Sequence, residues 1–301
     1  MGGDRSRLPT EGINPRTTDI DTLGPREIVE RIHAEDRRAV EAVGAVLDDV
    51  AEVVERLVRA LESGGRLFYV GAGTSGRLGV LDAAELPPTF GTDPSRVQAI
   101  LAGGPDAMWR AREGAEDVPA DGAAAVAEHG VDDRDLVVGI AAGSTTPFVL
   151  GALREAIRRG AGTVFLTCVP PADAPIASEV DVVIAPLTGP EAIAGSTRMK
   201  AGTATKLVLN MLTTAAMVRM GKTYGNLMVD LQVTAAKLED RGRRILRDLL
   251  GVSYDEAGGL LRAAGGRVKV ALVMHRRSVD RGEAERLLEE AGGFLRRAWG
   301  E

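Results

Sequence analysis

Two short stretches place hydroxyls and backbone amides at the end of an apolar run. The first, Gly71-Ala72-Gly73-Thr74-Ser75-Gly76, follows Leu67-Phe68-Tyr69-Val70 and leads into a helix-like segment carrying Asp82 and Glu85. The second, Gly143-Ser144-Thr145-Thr146, follows Leu136 to Ala141 and precedes Pro147. Hydroxyls and N–H groups at a helix N-terminus suit a phosphate or a sugar oxygen. Thr146 before Pro147 is also a strong helix-start signal, so capping competes with phosphomonoester binding there. The polar first loop favours the phosphate, whose oxygens several hydroxyls and amides would surround in place of water. A third stretch, residues 189–206, crowds Glu191, Ser196, Thr197, Arg198, Lys200 and Lys206 beside an apolar helix. The bland reading is a solvated helix start. Cations there oppose the helix dipole, however, so Arg198 or Lys200 calls for a partner, either an anionic ligand or an acidic side chain.

Gly71-x-Gly73-x-x-Gly76 after a strand also matches the dinucleotide fingerprint. That fingerprint needs a carboxylate at the end of the next strand to hold the ribose. Here the next strand ends Leu101-Ala102-Gly103, without one, and the reading fails. A triphosphate loop of the GxxxxGK[ST] type is absent.

The elements that would position these loops follow from periodicity. Residues 35–62 carry apolar side chains every three or four positions and predict one helix, closed by Ser63-Gly64-Gly65. Strands are expected at 67–70, 97–101, 136–141, 164–169 and 180–185, and helices at 106–117, 119–129, 147–159, 199–220 and 229–249, with Pro87-Pro88 stopping the helix after the first loop. Buried strands alternating with helices imply an α/β fold, a three-layer sandwich with a mainly parallel sheet. The strand–loop–helix pattern at 67–85 recurs at 136–158, so two loops at neighbouring strand ends could hold opposite ends of one ligand. Residues 1–24 read as an arm that packs on its own domain or on a partner, 25–250 as the α/β domain that carries the candidate ligand loops and 251–301 as a small helical C-terminal subdomain around the apolar run 268–274.

Bulk composition narrows the function. With 45% apolar and 27% charged residues the chain is globular, and a net charge of −6 without a basic block argues against nucleic acid. Cys168 is the one cysteine, in an apolar run, and reads as a buried structural thiol in a reducing compartment. Three scattered histidines give no metal spacing, so no zinc or iron site is expected. No run reaches membrane-spanning length and no signal-peptide core is present, which points to the cytoplasm.

The residues GAGTSGRLGVLDAAELPPTFG, EGAED, GPEAIAGSTRMKAGTATKLVLNM and YGNLMVDL, with TEGINPRTTDID near the start, closely resemble the N-acetylmuramic acid 6-phosphate etherases over nearly the whole chain. The 189–206 stretch is shared with the longer glucokinase regulatory proteins, which carry two sugar-isomerase-type domains. The resemblance implies a sugar-isomerase (SIS) fold, a homodimer with sites near the subunit interface, and a sugar-phosphate ligand. It also implies cofactor-free cleavage of the D-lactyl ether to N-acetylglucosamine 6-phosphate and D-lactate. The family's two catalytic glutamates carry over to Glu85 (DAAELPP), as the acid on the lactyl oxygen, and Glu116 (EGAED), as the base at C2. Without the resemblance, Glu85 would be a helix-end charge and Glu116 a surface charge. Substrate binding is expected from Gly73, Thr74, Ser75, Gly76, Ser144, Thr145, Thr146, Glu191, Ser196, Thr197, Arg198 and Lys200. One departure stands out: etherases usually read AASGRTP in the second loop, where this chain has Ala141-Ala142-Gly143-Ser144-Thr145-Thr146-Pro147. Two other classes fit less of the pattern: a sugar-phosphate sensor that does not turn over, and an aldose–ketose isomerase.

Overall fold

The structure, a computed structural model, describes residues 8–233 and 235–300. The first seven residues of the expected arm therefore lie outside the described residues, as do Thr234 and Glu301. Two compact units are present. One comprises the described part of Met1–Ala83 together with Ser95–Thr213; the other comprises Ala84–Pro94 with the described part of Thr214–Glu301. The second unit thus begins well before residue 251, and it takes in a short piece of chain from the middle of the sequence.

Five parallel strands form the sheet of the first unit: β1 (Leu67–Gly71), β2 (Val97–Leu101), β3 (Leu136–Ile140), β4 (Gly162–Leu166) and β5 (Val182–Ile184), in spatial order β2-β1-β3-β4-β5. β1 and β3 are buried at every position, as strands covered on both faces must be. On one face Phe68, Val70, Val137 and Phe165 meet α4 (Pro119–Glu128) and α5 (Pro147–Arg158) through Val126, Phe148, Val149 and Leu153. Gly139 is obligatory here, because a Cβ would stand 2.6 Å from a Leu153 methyl. On the other face Tyr69 donates a 3.0 Å hydrogen bond to the buried Asp82 of α3 (Gly73–Phe90). Lys206 of α6 (Lys200–Arg219) lies 3.6 Å from the same carboxylate. The three layers expected from the sequence are therefore present.

Several boundaries differ from the sequence reading. The expected helix 35–62 is two, α1 (Pro25–Gly44) and α2 (Leu47–Glu62), broken at Ala45-Val46. α1 starts ten residues early because Glu27 accepts from the Gly24 N–H at 3.1 Å, closing its first turn. Pro87 and Pro88 do not stop α3; both lie inside it, and the Gly91 N–H closes on the Pro87 carbonyl at 2.9 Å. Proline φ is compatible with a helix, and only two backbone donors in the last turn are lost. The expected helix 106–117 is a 3₁₀ turn, Pro105–Met108, followed by irregular chain, since Gly114 takes φ +78.

Residues 8–24 pack on their own unit. Asn14 Nδ2 donates to Glu35 Oε2 at 2.8 Å and to the Pro190 carbonyl at 3.1 Å, and the Thr17 hydroxyl donates to the Ala192 carbonyl at 2.9 Å. In the second unit a two-stranded hairpin, β6 (Thr223–Tyr224) and β7 (Leu227–Met228), precedes α7 (Ala236–Leu250), α8 (Tyr254–Ala263), α9 (Val268–Arg277), α10 (Arg281–Glu290) and α11 (Leu295–Trp299). The expected helix 229–249 is shorter, and the apolar run 268–274 is α9. Its Val268 to Val273 are all buried, because the other helices surround it. Among the described residues no helix is long and apolar enough to cross a membrane.

Candidate active site

A parallel sheet in the order 2-1-3-4-5 reverses its winding between β1 and β3, and a crevice opens at the carboxyl ends of those strands. The two glycine and hydroxyl loops sit there. A cavity of about 220 Å³ is lined by Gly73, Thr74 and Ser75 from the first loop and by Gly143, Thr145 and Thr146 from the second. Thr197 and Glu116 complete the predicted residues on its wall.

Each position has a local cause. In the first loop the glycines do different jobs. Gly73 adopts φ +53, a left-handed turn that glycine tolerates without cost. Gly76 faces inward, where a Cβ would come 2.4 Å from a Leu101 methyl and 2.6 Å from the Gly71 carbonyl oxygen. It serves strand–helix packing and does not line the cavity. That steric demand explains the dinucleotide-like spacing without any dinucleotide. In the second loop Thr146 is the residue before α5, yet its side chain makes no capping bond. The Phe148 N–H in the first turn of α5 instead donates to the Glu116 carbonyl at 3.0 Å. One hydrogen bond thereby ties the irregular segment carrying Glu116 to the start of the helix that follows the second loop. The hydroxyls of Thr74, Ser75, Thr145, Thr146 and Thr197 have no protein partner among the described residues.

The other predicted ligands are placed differently. Ser144 is buried at φ +62 with its hydroxyl turned toward the Asp173 carbonyl, 3.4 Å away. Glu191 is fully buried and accepts from the Lys200 and Ala201 N–H groups, both at 2.9 Å, capping the start of α6. Burial pushes its carboxyl upward and those two N–H bonds oppose the shift. Lys200, also fully buried, donates from Nζ to Glu35 Oε2 at 2.6 Å. The acidic partner anticipated for Arg198 or Lys200 is therefore Glu35. Arg16 donates to both oxygens of the same carboxylate, through Nε to Oε1 and through Nη2 to Oε2 at 2.9 Å. The Arg16 bonds, followed by those of Lys200 and Asn14, outweigh burial and lower its pKa to about 2. Ser196 is half-buried and Arg198 exposed, and neither lines the cavity. Glu85 is exposed on α3, in the 84–94 piece that belongs to the second unit. Burial pushes the Cys168 thiol up to about 12, as a structural cysteine requires.

Leu8 and Glu11 also line the cavity. Sequence reasoning missed them because the arm's irregular sequence gives no periodic signal. The motif TEG that carries Glu11 was the one available clue. Gly195, at φ +74, leaves room for the Glu11 carboxylate, which would stand 3.1 Å from a Cβ there.

This sheet order, with hydroxyl loops at its switch point, defines the doubly wound α/β class. Residues 49–157 match the family model described as the glucokinase regulatory protein N-terminal SIS domain. A Synechocystis sp. relative named N-acetylmuramic acid 6-phosphate etherase is 52% identical over 295 residues, covering 98% of this chain and 96% of the relative. One of the same name from Salinibacter ruber is 53% identical over 294 residues, covering 97% and 93%. The chain belongs to the N-acetylmuramic acid 6-phosphate etherase family.

Proposed function

We propose that this protein cleaves the D-lactyl ether of N-acetylmuramic acid 6-phosphate by elimination and hydration, a carbon–oxygen lyase reaction of amino-sugar recycling. The observation that carries the reading is near-full-length identity of 52% to a relative so named. A cleft lined by unpartnered hydroxyls and by Glu116 supports it.

The hydroxyls of Thr74, Ser75, Thr145 and Thr146, with the N–H groups at the start of α3, surround the phosphate. Ring opening exposes an aldehyde at C1 and makes the C2 proton acidic. Glu116 takes that proton. The C2–H pair becomes the C2=C3 bond, the C3–O bond breaks, and Glu85 protonates the departing lactyl oxygen. Water then adds across the double bond, its hydroxyl to C3 and a proton to C2, giving N-acetylglucosamine 6-phosphate. General acid and general base are each typically worth about 10²–10⁴-fold. The protein works as a cytoplasmic homodimer and needs no metal or cofactor in this scheme.

Incubating purified protein with N-acetylmuramic acid 6-phosphate and assaying D-lactate tests the reading; no lactate at high enzyme concentration refutes it. The altered second loop gives the sensor reading its footing. A protein that binds the sugar phosphate tightly and releases no lactate would establish that reading instead. Interconversion of aldose and ketose phosphates without lactate would establish the isomerase.

A further inference from the structure

A second cavity, of about 210 Å³, adjoins the hydroxyl-lined one, and Ala72, Gly73 and Glu116 line both. Its character is different. Ala102, Ala107, Ala111 and Ala115 provide small apolar walls, and Arg77 and Arg112 provide positive charge. Arg77, half-buried in the first turns of α3, is held through Nε by the carbonyls of Ala107 and Met108 at 2.9 and 3.1 Å. No carboxylate pairs with it among the described residues, and its terminal amino groups are left without a protein partner. A half-buried guanidinium held at Nε and open at its fork is arranged for a planar anion. Arg112 reaches the cavity with its stem over Gly103, and among the described residues its one acidic partner is the exposed Asp106 at 3.5 Å, a weak surface pair. The exposed Glu113 also lines this cavity.

We propose that this alanine-walled cavity is the subsite for the lactyl group, with Arg77 as the residue that binds its carboxylate and Arg112 assisting. The inference rests on the etherase reading and adds to it a binding pocket for the leaving group. At roughly 30 Å³ per water-sized group, the cavity holds about seven non-hydrogen atoms, enough for a lactyl group of about six. The lactyl methyl would lie on the alanines. With phosphate and lactyl carboxylate in separate cavities, the C2–C3 bond crosses the boundary that Glu116 lines, where a base at C2 must be.

N-acetylmuramic acid 6-phosphate and N-acetylglucosamine 6-phosphate differ only in the lactyl group, so their dissociation constants isolate the subsite. Both are measured by calorimetry in a Glu116→Gln background, which stops turnover. Adding Arg77→Gln is expected to weaken the lactyl ether about tenfold to a hundredfold and to change the other ligand by less than about twofold. Arg112→Gln and Ala111→Leu alter exposed positions and give the same selective loss, should Arg77→Gln compromise folding. Equal weakening of both ligands, or no change in either, overturns the proposal. These are binding constants, so the subsite is judged whether or not lactate is released; failure of wild-type turnover counts against the etherase reading alone.

Discussion

Two polar regions of the first unit look alike in composition and differ in where their polar groups point. The hydroxyl loops at 71–76 and 143–146 leave Thr74, Ser75, Thr145 and Thr146 facing a cavity with no protein partner among the described residues. The 189–200 stretch, richer in charge, turns two of its three charges inward, Glu191 capping α6 and Lys200 pairing with Glu35, while Arg198 stays exposed. The difference teaches that a dense polar sequence marks a ligand site only where its groups are left unsatisfied by the protein. Charge at a helix start is as readily architecture as binding.

That contrast can be broken in a definite order. Glu116→Gln is expected to reduce D-lactate release by about 10²–10⁴-fold with little change in the urea midpoint, because the side chain is exposed. Near-wild-type turnover would remove Glu116 from the chemistry. Lys200→Met should do the reverse. Removing one partner of a buried ion pair costs about 3–5 kcal/mol, read by urea unfolding, while the remaining folded protein keeps its affinity for N-acetylglucosamine 6-phosphate. A stable Lys200→Met protein with weakened ligand binding would return Lys200 to the site.

Acid titration probes the same network. The Glu35 carboxyl lies at about 2 in the folded protein against an ordinary value of 4.5. Its contribution is fully present above the unfolded pKa and is lost as pH falls through the folded one, so stability should decline from about pH 4.5 toward pH 2. Glu35→Gln should flatten that limb; an unchanged acid profile would show that other carboxylates dominate it.

Smaller effects sharpen the loops themselves. Thr146→Val should weaken N-acetylglucosamine 6-phosphate by about fivefold to tenfold, the worth of one hydrogen bond, with unfolding unaffected. If it instead lowers stability by about 1 kcal/mol and spares binding, Thr146 is a cap after all. Ser144→Gly should raise stability by roughly 0.5 kcal/mol, since a left-handed φ is strained for serine and its bond to Asp173 is long. The departure of this loop from the family pattern has placed serine where glycine is at ease. A loss of stability would show that the Ser144 bond outweighs the strain.

Much of the site was legible because its cause is local. All five strands are apolar runs, and the loops that follow β1 and β3 announce themselves by glycine and hydroxyls. Glu116 and Glu85 needed the family resemblance, since nothing in EGAED or DAAELPP by itself distinguishes a base or acid from a surface charge. What could not be read depends on distant partners. Lys200 and Glu35 are 165 residues apart, and no periodicity signals that they meet. Arg77 is fixed by the carbonyls of Ala107 and Met108, some thirty residues on, which no local pattern signals. The break between α1 and α2, and the continuation of α3 through Pro87 and Pro88, follow from backbone geometry at single residues, where pattern reading is weakest.

The latch between the arm and the 190s also sets an order of events during synthesis. Asn14 and Thr17 close on Pro190 and Ala192, which follow them by 176 and 175 residues. At about 5–20 residues per second, the beginning of the chain waits on the order of ten to thirty seconds for the segment it fastens to. Until then Glu35 has Arg16 but not Lys200, and the cavity that Leu8 and Glu11 line lacks its Thr197 side. The hydroxyl-lined cleft is thus completed late in the synthesis of its unit, although the residues that begin its wall are among the first to be made.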